Sequence, residues 1–310
     1  MSDPEDRWRD PTFLAAAHAW IHQQLDGGTG GPVLQVEQTH VTPWSTVMRV
    51  TARHQVLWFK ANDEPMRHEA ALTAFLAARS GERVCRPTAY DRVTGWMLMT
   101  DMSPRLREVV AEERSLDRWH EVLDAYARIQ LACEDQVDAL LALGVPDRRL
   151  ATLPGAYADL LAGLDDADPR LPGPETVEAM CAGLAALGLP DTIQHDDLHD
   201  GQVFVPHGHA HVLDWGDACV SHPFLTLAVT LEGVIAWGVD DEQDSEDVGP
   251  FLRSYLRPYA ERHRADGARL LEAARTGMRL GWVCRAVNGH LPHDPASTHT
   301  RLRMFLDGRP

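Results

Sequence analysis

The stretch "TIQHDDLHDGQVFVPHGHAHVLDWGDA", residues 192–218, decides how the rest of the chain is understood. Its segments "QVFV" and "HVLDW" alternate or run apolar, as strands do, and the turn-rich "PHGHA" between them predicts a hairpin. Asp197 precedes that hairpin, Gln202 enters it and Asp214 leaves it, so the hairpin folds two carboxylates and an amide toward a common end. A metal site is the competing interpretation. His195, Asp197 and His199 would share a face of a strand, as zinc ligands do, and His207, His209 and His211 follow in "HGHAH". With 16 histidines in the chain some clustering is expected, and Leu198 with the hairpin explains the spacing better as a catalytic loop.

Composition narrows the class. The chain has 310 residues, 44% hydrophobic and 24% charged, enough for one large domain or a two-lobed unit with a sizeable core. The start "MSDPEDRWRD" is polar where a secretory signal would be apolar. The longest apolar run, "PFLTLAVTLEGVIAW", is short for a bilayer and carries Glu232. Five scattered cysteines with no CxxC pair point to a reducing cytoplasm and away from a thiolate zinc site. The expectation is a cytoplasmic monomer or dimer with no membrane partner. A net charge of −17 with no basic stripe argues against nucleic acid as partner.

One basic residue stands apart. Of the 29 Lys and Arg residues, Lys60 is the only lysine. In so arginine-biased a chain it marks a place for a compact ammonium on a flexible stem, which a guanidinium fork cannot imitate. Its surroundings give it a context. Residues 11–25 have helical spacing and stop at "DGGTGG". Three antiparallel strands follow through "LQVEQTHVTPWSTVMRVTARHQVLWFKA", with Lys60 in the third. A helix opening at Pro65 carries Glu69 and stops at Gly81, and two more strands lie around "VCRPTAY" and "GWMLMT". From Ser103 onward, Leu/Ala-rich segments at 106–143, 153–164 and 174–188 predict helices, as do 223–237 and 247–289. The expected architecture is α+β, a small β-rich lobe over residues 1–101 and a larger helical lobe over 102–310.

A catalytic-loop Asp, an amide a few residues later and a metal-binding Asp across a hairpin are the layout of a kinase. "HDDLHDGQ" followed by "VLDWGDA" resembles the H-x-D-L-x-x-x-N and D-W/F-G/E motifs of the aminoglycoside phosphotransferase family, small-molecule kinases of protein-kinase-like fold. "VLWFKA" is similar to the family's strand lysine segment, Glu69 in "RHEAALTAFLA" to its helix glutamate, and "GWMLMTDM" to its adenine-binding hinge strand, here with Met99. The resemblance spans about residues 33–290 in family order. It implies ATP and Mg²⁺ as cofactors: Lys60 on the nucleotide phosphates oriented by Glu69, Gln202 and Asp214 on the metal, and Asp197 as the catalytic residue that takes the acceptor's proton.

The chain departs from the family pattern at several points. Gln202 stands where most members have Asn, as in maltokinase-like sugar kinases; its amide oxygen sits on a longer stem. Asp196 replaces the usual Gly and is expected to be a solvated loop residue rather than one facing the acceptor. "VTPWSTV" lacks the glycines of a phosphate-covering loop, leaving Ser45 and Thr46 as candidate phosphate contacts. Thr226 stands where members often carry Asp. His195 is expected to be structural, His199 stays open between packing and a substrate-side role, and Asp217 between a local bond and the substrate. Trp282, Arg285 and Asn288 lie one turn apart and could line the acceptor pocket, although packing or exposure is the commoner fate of each.

The resemblance therefore implies an ATP:small-molecule O-phosphotransferase acting on a hydroxyl of an aminoglycoside or other antibiotic, a sugar or a related metabolite, with antibiotic resistance as one physiological role. The alternative is a catalytically silent nucleotide-binding module, whose signature would be loss of the lysine or of either Asp; all three are present.

Overall fold

The computed structural model describes residues 5–26, 30–291 and 294–307. It divides into two compact units. Unit 1 holds the chain up to Ser103 together with Leu213–Gly216, and unit 2 holds Pro104–Val212 and the chain from Asp217 onward.

Unit 1 begins with a short helix α1 (Asp6–Arg9) and α2 (Pro11–Leu25). Asp10 caps α2 by accepting from the Thr12 and Phe13 amides at 2.8 and 3.3 Å, and Pro11 supplies a preset φ at the first position. Strands β1 (Val33–Val41), β2 (Ser45–Ala52) and β3 (Val56–Asn62) follow, then α3 (Glu69–Ser80), β4 (Ala89–Tyr90) and β5 (Met97–Thr100). They form one antiparallel sheet of order β1-β2-β3-β5-β4. Strand alternation decides what each face holds. Met48, Val50, Leu57, Phe59 and Ala61 point into the apolar cluster with Ala17, Ile21 and Leu25 of α2. Trp20, Phe59 and Trp96 meet edge to face in that layer. Lys60 and Asn62, one position out of phase, share the opposite face.

The expected helix opening at Pro65 is split. Asp63 accepts from the Glu64 amide at 2.8 Å to start a single tight turn, Glu64–Met66, and α3 proper starts at Glu69. This places Glu69 in the first turn of α3.

Unit 2 is mostly helical: α4 (Leu106–Glu113), α5 (Arg118–Leu131), α6 (Val137–Ala142), α7 (Leu153–Gly163) and α8 (Pro174–Ala185), later α9 (Gly249–His263), α10 (Gly267–Asn288) and α11 (Pro295–Asp307). The segment expected as one helical run over 106–143 breaks first at Arg114, whose φ of 51° ends α4 in a left-handed cap. Two short strand pairs lie between the helices. The predicted hairpin is β7 (Val203–Phe204) with β8 (His211–Val212), and β6 (Thr192–Gln194) pairs with β9 (Cys219–Ser221). The apolar stretch 223–237 is not a regular α-helix. It holds a π-helical turn, Ala228–Glu232, and a 3₁₀ turn, Ile235–Trp237. The Thr230 hydroxyl reaches the Leu198 carbonyl at 2.9 Å, a local side-chain bond of the kind that competes with regular helix. Among the described residues, no helix is long and apolar enough to cross a membrane.

A buried polar chain fixes the entry to residues 195–201. The Gln194 side-chain oxygen accepts from the Thr226 amide at 3.0 Å and from its hydroxyl. That hydroxyl accepts from Tyr126 at 2.9 Å, and the Tyr126 oxygen accepts from the His195 amide at 3.0 Å. Thr226, standing where an Asp was expected, thus closes a neutral network. Replacing it with Val keeps the shape but removes the acceptor of the Tyr126 hydroxyl and one of the two donors to Gln194. Thr226→Val should cost about 1–3 kcal/mol in chemical unfolding, with Thr226→Ser costing less.

Candidate active site

In unit 1, three elements converge on one ammonium. Lys60 of β3 is only 12% exposed on its side chain, and Glu69 of α3 receives it at 2.8 Å. Asp214, in the segment 213–216, receives it at 2.5 Å and keeps 42% of its side chain exposed. Burial opposes the charge on Lys60, but the Asp214 and Glu69 carboxylates outweigh it and hold the ammonium above its ordinary range. Asn62, on the same face of β3 as Lys60, donates to Glu69 Oε2, which Lys60 also reaches, and to the Met66 carbonyl at 3.3 Å. Asp214 adopts a φ of 62°, a left-handed conformation that Asp tolerates better than most residues. Gly216 permits a close approach, since a Cβ there would lie 3.1 Å from the Glu69 carboxylate.

The remaining nucleotide-side candidates are placed differently. Ser45 is buried and pairs its hydroxyl with Thr42 at 3.2 Å, while Thr46 donates to the His40 carbonyl at 3.0 Å; both hydroxyls tie the β1–β2 connection together. Met99 is buried on β5, opposite Trp58 of β3.

In unit 2, the loop 195–201 is not a strand, so His195, Asp197 and His199 do not line up as zinc ligands. His195 is fully buried. Asp197 keeps 25% of its side chain exposed, and its Oδ1 lies 3.0 Å from the guanidinium of Arg285 on α10. His199 accepts at Nδ1 from the Gly201 amide at 3.0 Å, and Arg107 Nη2 lies 3.2 Å from the same atom. With Nδ1 accepting, the neutral ring carries its proton on Nε2, 4.0 Å from Asp197 Oδ2. Arg107 also holds Asp200 at 2.9 Å. Gly201 fits beneath this pair, for a Cβ there would meet Arg107 and His199 at 2.3 and 2.8 Å. Gln202 is half-buried at the head of β7, and its amide donates to the His199 carbonyl at 3.0 Å.

Asp196 corrects an expectation. It is 2% exposed, not a solvated loop residue. Its φ of 65° is the reason a Gly is expected there, and its carboxylate is compensated from α10. Asn288 donates to it at 3.1 Å and Arg285 lies 3.6 Å away. Burial pushes its carboxyl up to about 6, against the pull of Arg285. Asp217 resolves likewise: it meets Arg285 at 3.3 Å, and its carbonyl accepts from Asn288 at 2.7 Å. Of the three residues marked on α10, Trp282 instead donates to Glu232 at 2.6 Å. Cys219 and Cys284, far apart in sequence, come within 3.8 Å, and Asp196 joins them in a buried cluster. Their shared hydrogen bond pulls the Cys219 thiol down but burial and neighbouring charge leave it raised, the bond and burial together raise Cys284, and the Asp196 carboxylate is already compensated by Arg285.

Sequence reasoning missed Asn62, Arg107 and the ion pairing of Arg285. Asn62 had a signal, two residues beyond Lys60 on a strand. Arg107 had none.

A family model described as a phosphotransferase enzyme family matches residues 21–268. The chain belongs to that phosphotransferase family. Solved structures agree on a protein-kinase-like fold at low identity. Plasmodium vivax ethanolamine kinase is 11% identical with a TM-score of 0.60, over 94% of this chain and 87% of that one. A choline/ethanolamine kinase family protein from Mesorhizobium loti is 17% identical, TM-score 0.53, over 96% and 94%. An aminoglycoside phosphotransferase in a ternary complex with AMP-PNP and hygromycin B is 16% identical, TM-score 0.54, over 92% and 97%. No curated protein matches the sequence. In this phosphotransferase the small sheet and α3 of unit 1 and the helices of unit 2 supply the α+β architecture of the fold.

The raised carboxyl of Asp196 has a signed consequence. A folded-state value near 6 against an ordinary 3.8 means that the folded chain binds the proton more tightly than the unfolded one. Stability contributed by protonated Asp196 is present below about pH 4 and lost as pH rises toward 6. Unfolding curves at pH 4, 5 and 6 should show wild type losing stability relative to Asp196→Asn across that window.

Proposed function

We propose that this phosphotransferase is an ATP-dependent kinase that passes the γ-phosphoryl group to a hydroxyl of a small molecule. The observation that carries the proposal is the one lysine of the chain, held between Glu69 and Asp214. A buried ammonium fixed from one side by a carboxylate on a helix is suited to gripping nucleotide phosphates, and Glu69 aims it. Phosphoryl transfer needs positioning and charge neutralisation more than covalent help from the protein.

Asp214 and Gln202 offer the hard oxygen donors that Mg²⁺ prefers, and Asp214 stays well exposed despite its bond to Lys60. When bound, the metal would neutralise charge on the transferred phosphate oxygens. Asp197 orients the acceptor hydroxyl and takes its proton. The acceptor O–H bond breaks, the new P–O bond forms, and the P–O bond to ADP breaks, leaving ADP with the electron pair. Its Oδ1 is held by Arg285 and its Oδ2 faces His199, so the carboxylate is oriented before any acceptor arrives. Acceptors compatible with this chemistry include aminoglycosides and other antibiotics, sugars and amino alcohols; the kinase neighbours named above act on or bind two of these classes. Dependence on ATP is consistent with action in the cytoplasm.

An ATP-consumption screen over those classes identifies the acceptor. Lys60→Met and Asp214→Ala should lower turnover by at least about a hundredfold through lost nucleotide positioning. Asp197→Asn should bind nucleotide normally, measured by calorimetry, and fail to phosphorylate. Normal turnover by Asp197→Asn would remove its assigned role, and nucleotide binding without turnover of any acceptor would favour the silent module. Gln202→Asn should retain more activity than Gln202→Ala, and equal rates would mean that Gln202 is not a metal ligand.

A further inference from the structure

We propose that Arg285 is the positioning residue of Asp197, a buried cation that orients the proton-accepting carboxylate. This rests on Asp197 being that acceptor.

Arg285 lies in the last turn of α10, where the helix carbonyl end favours a cation. Its side chain is 9% exposed, and a guanidinium so buried needs compensation from several directions. It has three partners. Nη2 faces Asp197 Oδ1 at 3.0 Å and Nη1 faces Asp217 at 3.3 Å and Asp196 at 3.6 Å. Asn288, one turn further on, donates to the Asp196 carboxylate and to the Asp217 backbone carbonyl and so holds one flanking carboxylate and the backbone that carries the other. Gly289 makes room, because a Cβ there would stand 3.0 Å from Arg285 Nη1 and 2.7 Å from Arg301 Nη1. Arg301 of α11, bonded to the Gly289 carbonyl at 2.6 Å, acts electrostatically on the same three carboxylates.

The arrangement is asymmetric in a way that a purely structural ion pair would not require. Asp196 and Asp217 suffice to compensate one guanidinium, yet its shortest contact goes to Asp197, the least buried of the three. Because Arg285 meets Oδ1, the carboxylate is fixed in rotation with Oδ2 on the His199 side. The charged groups facing Asp197 are thus Arg285 and Arg301 on one hand and Asp196 and Asp217 on the other, with His199 beside them. Removing Arg285 would leave three carboxylates crowded together without the cation that holds Asp197 in place.

The test uses the full chain and the variants Arg285→Met, Arg285→Lys and Asp197→Asn. ADP release from MgATP, with water and with the best acceptor of the screen, should fall about tenfold or more in kcat for Arg285→Met, with KM for MgATP within about twofold. Arg285→Lys should fall between, because one ammonium cannot bridge three carboxylates. An unchanged kcat in Arg285→Met overturns the proposal. Should that variant not fold, Arg285→Lys with wild-type kcat overturns it instead. Full activity in Asp197→Asn removes the acceptor assignment itself. An inactive Asp197→Asn beside an Arg285→Met indistinguishable from wild type removes only the positioning role.

Discussion

A lysine that is nearly out of solvent must meet its counter-charges in the fold, and in unit 1 that requirement organises everything around it. Lys60 draws Glu69 from α3 and Asp214 from a segment far along the chain. The sheet supplies the phase: with Leu57, Phe59 and Ala61 committed to the apolar layer against α2, Lys60 and Asn62 have the other face to themselves. Asn62 then gives Glu69 a second donor, and Gly216 gives the Asp214 segment room beside the same carboxylate. Four residues, 213–216, accordingly belong with the β-rich unit although the sequence on both sides of them belongs with the helices.

Unit 2 applies the same rule with the signs exchanged. There the buried charges are carboxylates, and a single guanidinium from α10 is shared among three of them. The polar chain from Gln194 through Thr226 and Tyr126 to the His195 amide is neutral by contrast, and it fixes where the loop begins. A neutral hydrogen-bonded network and an ionic one that pairs carboxylates with a guanidinium do different work. The first sets backbone position and the second balances charge.

Much of this was legible in the residues. The phase of β3, the caps of α2, the hairpin at 203–212 and the helices of unit 2 follow from local periodicity and turn chemistry, which depend on neighbours within a few positions. The strand lysine, helix glutamate and the two motif aspartates could be named for the same reason, each sitting in a short pattern. Other elements left no such trace. Strands β6 and β9 are three residues each, too short to show a period, and the 223–237 stretch reads as helix until the Thr230 hydroxyl is seen to take a distant carbonyl.

Asp196 marks the boundary between the two kinds of knowledge. The sequence by itself determined that a carboxylate stands where a glycine is usual, and that Lys60 is the chain's one ammonium side chain. Whether Asp196 faced water or protein was decided only by the tertiary structure. Its burial depends on Arg285 and Asn288, which arrive from a helix far along the chain. Periodicity is a property of adjacent residues, whereas the cost of burying a charge is set by whichever partners the fold brings within a few ångströms.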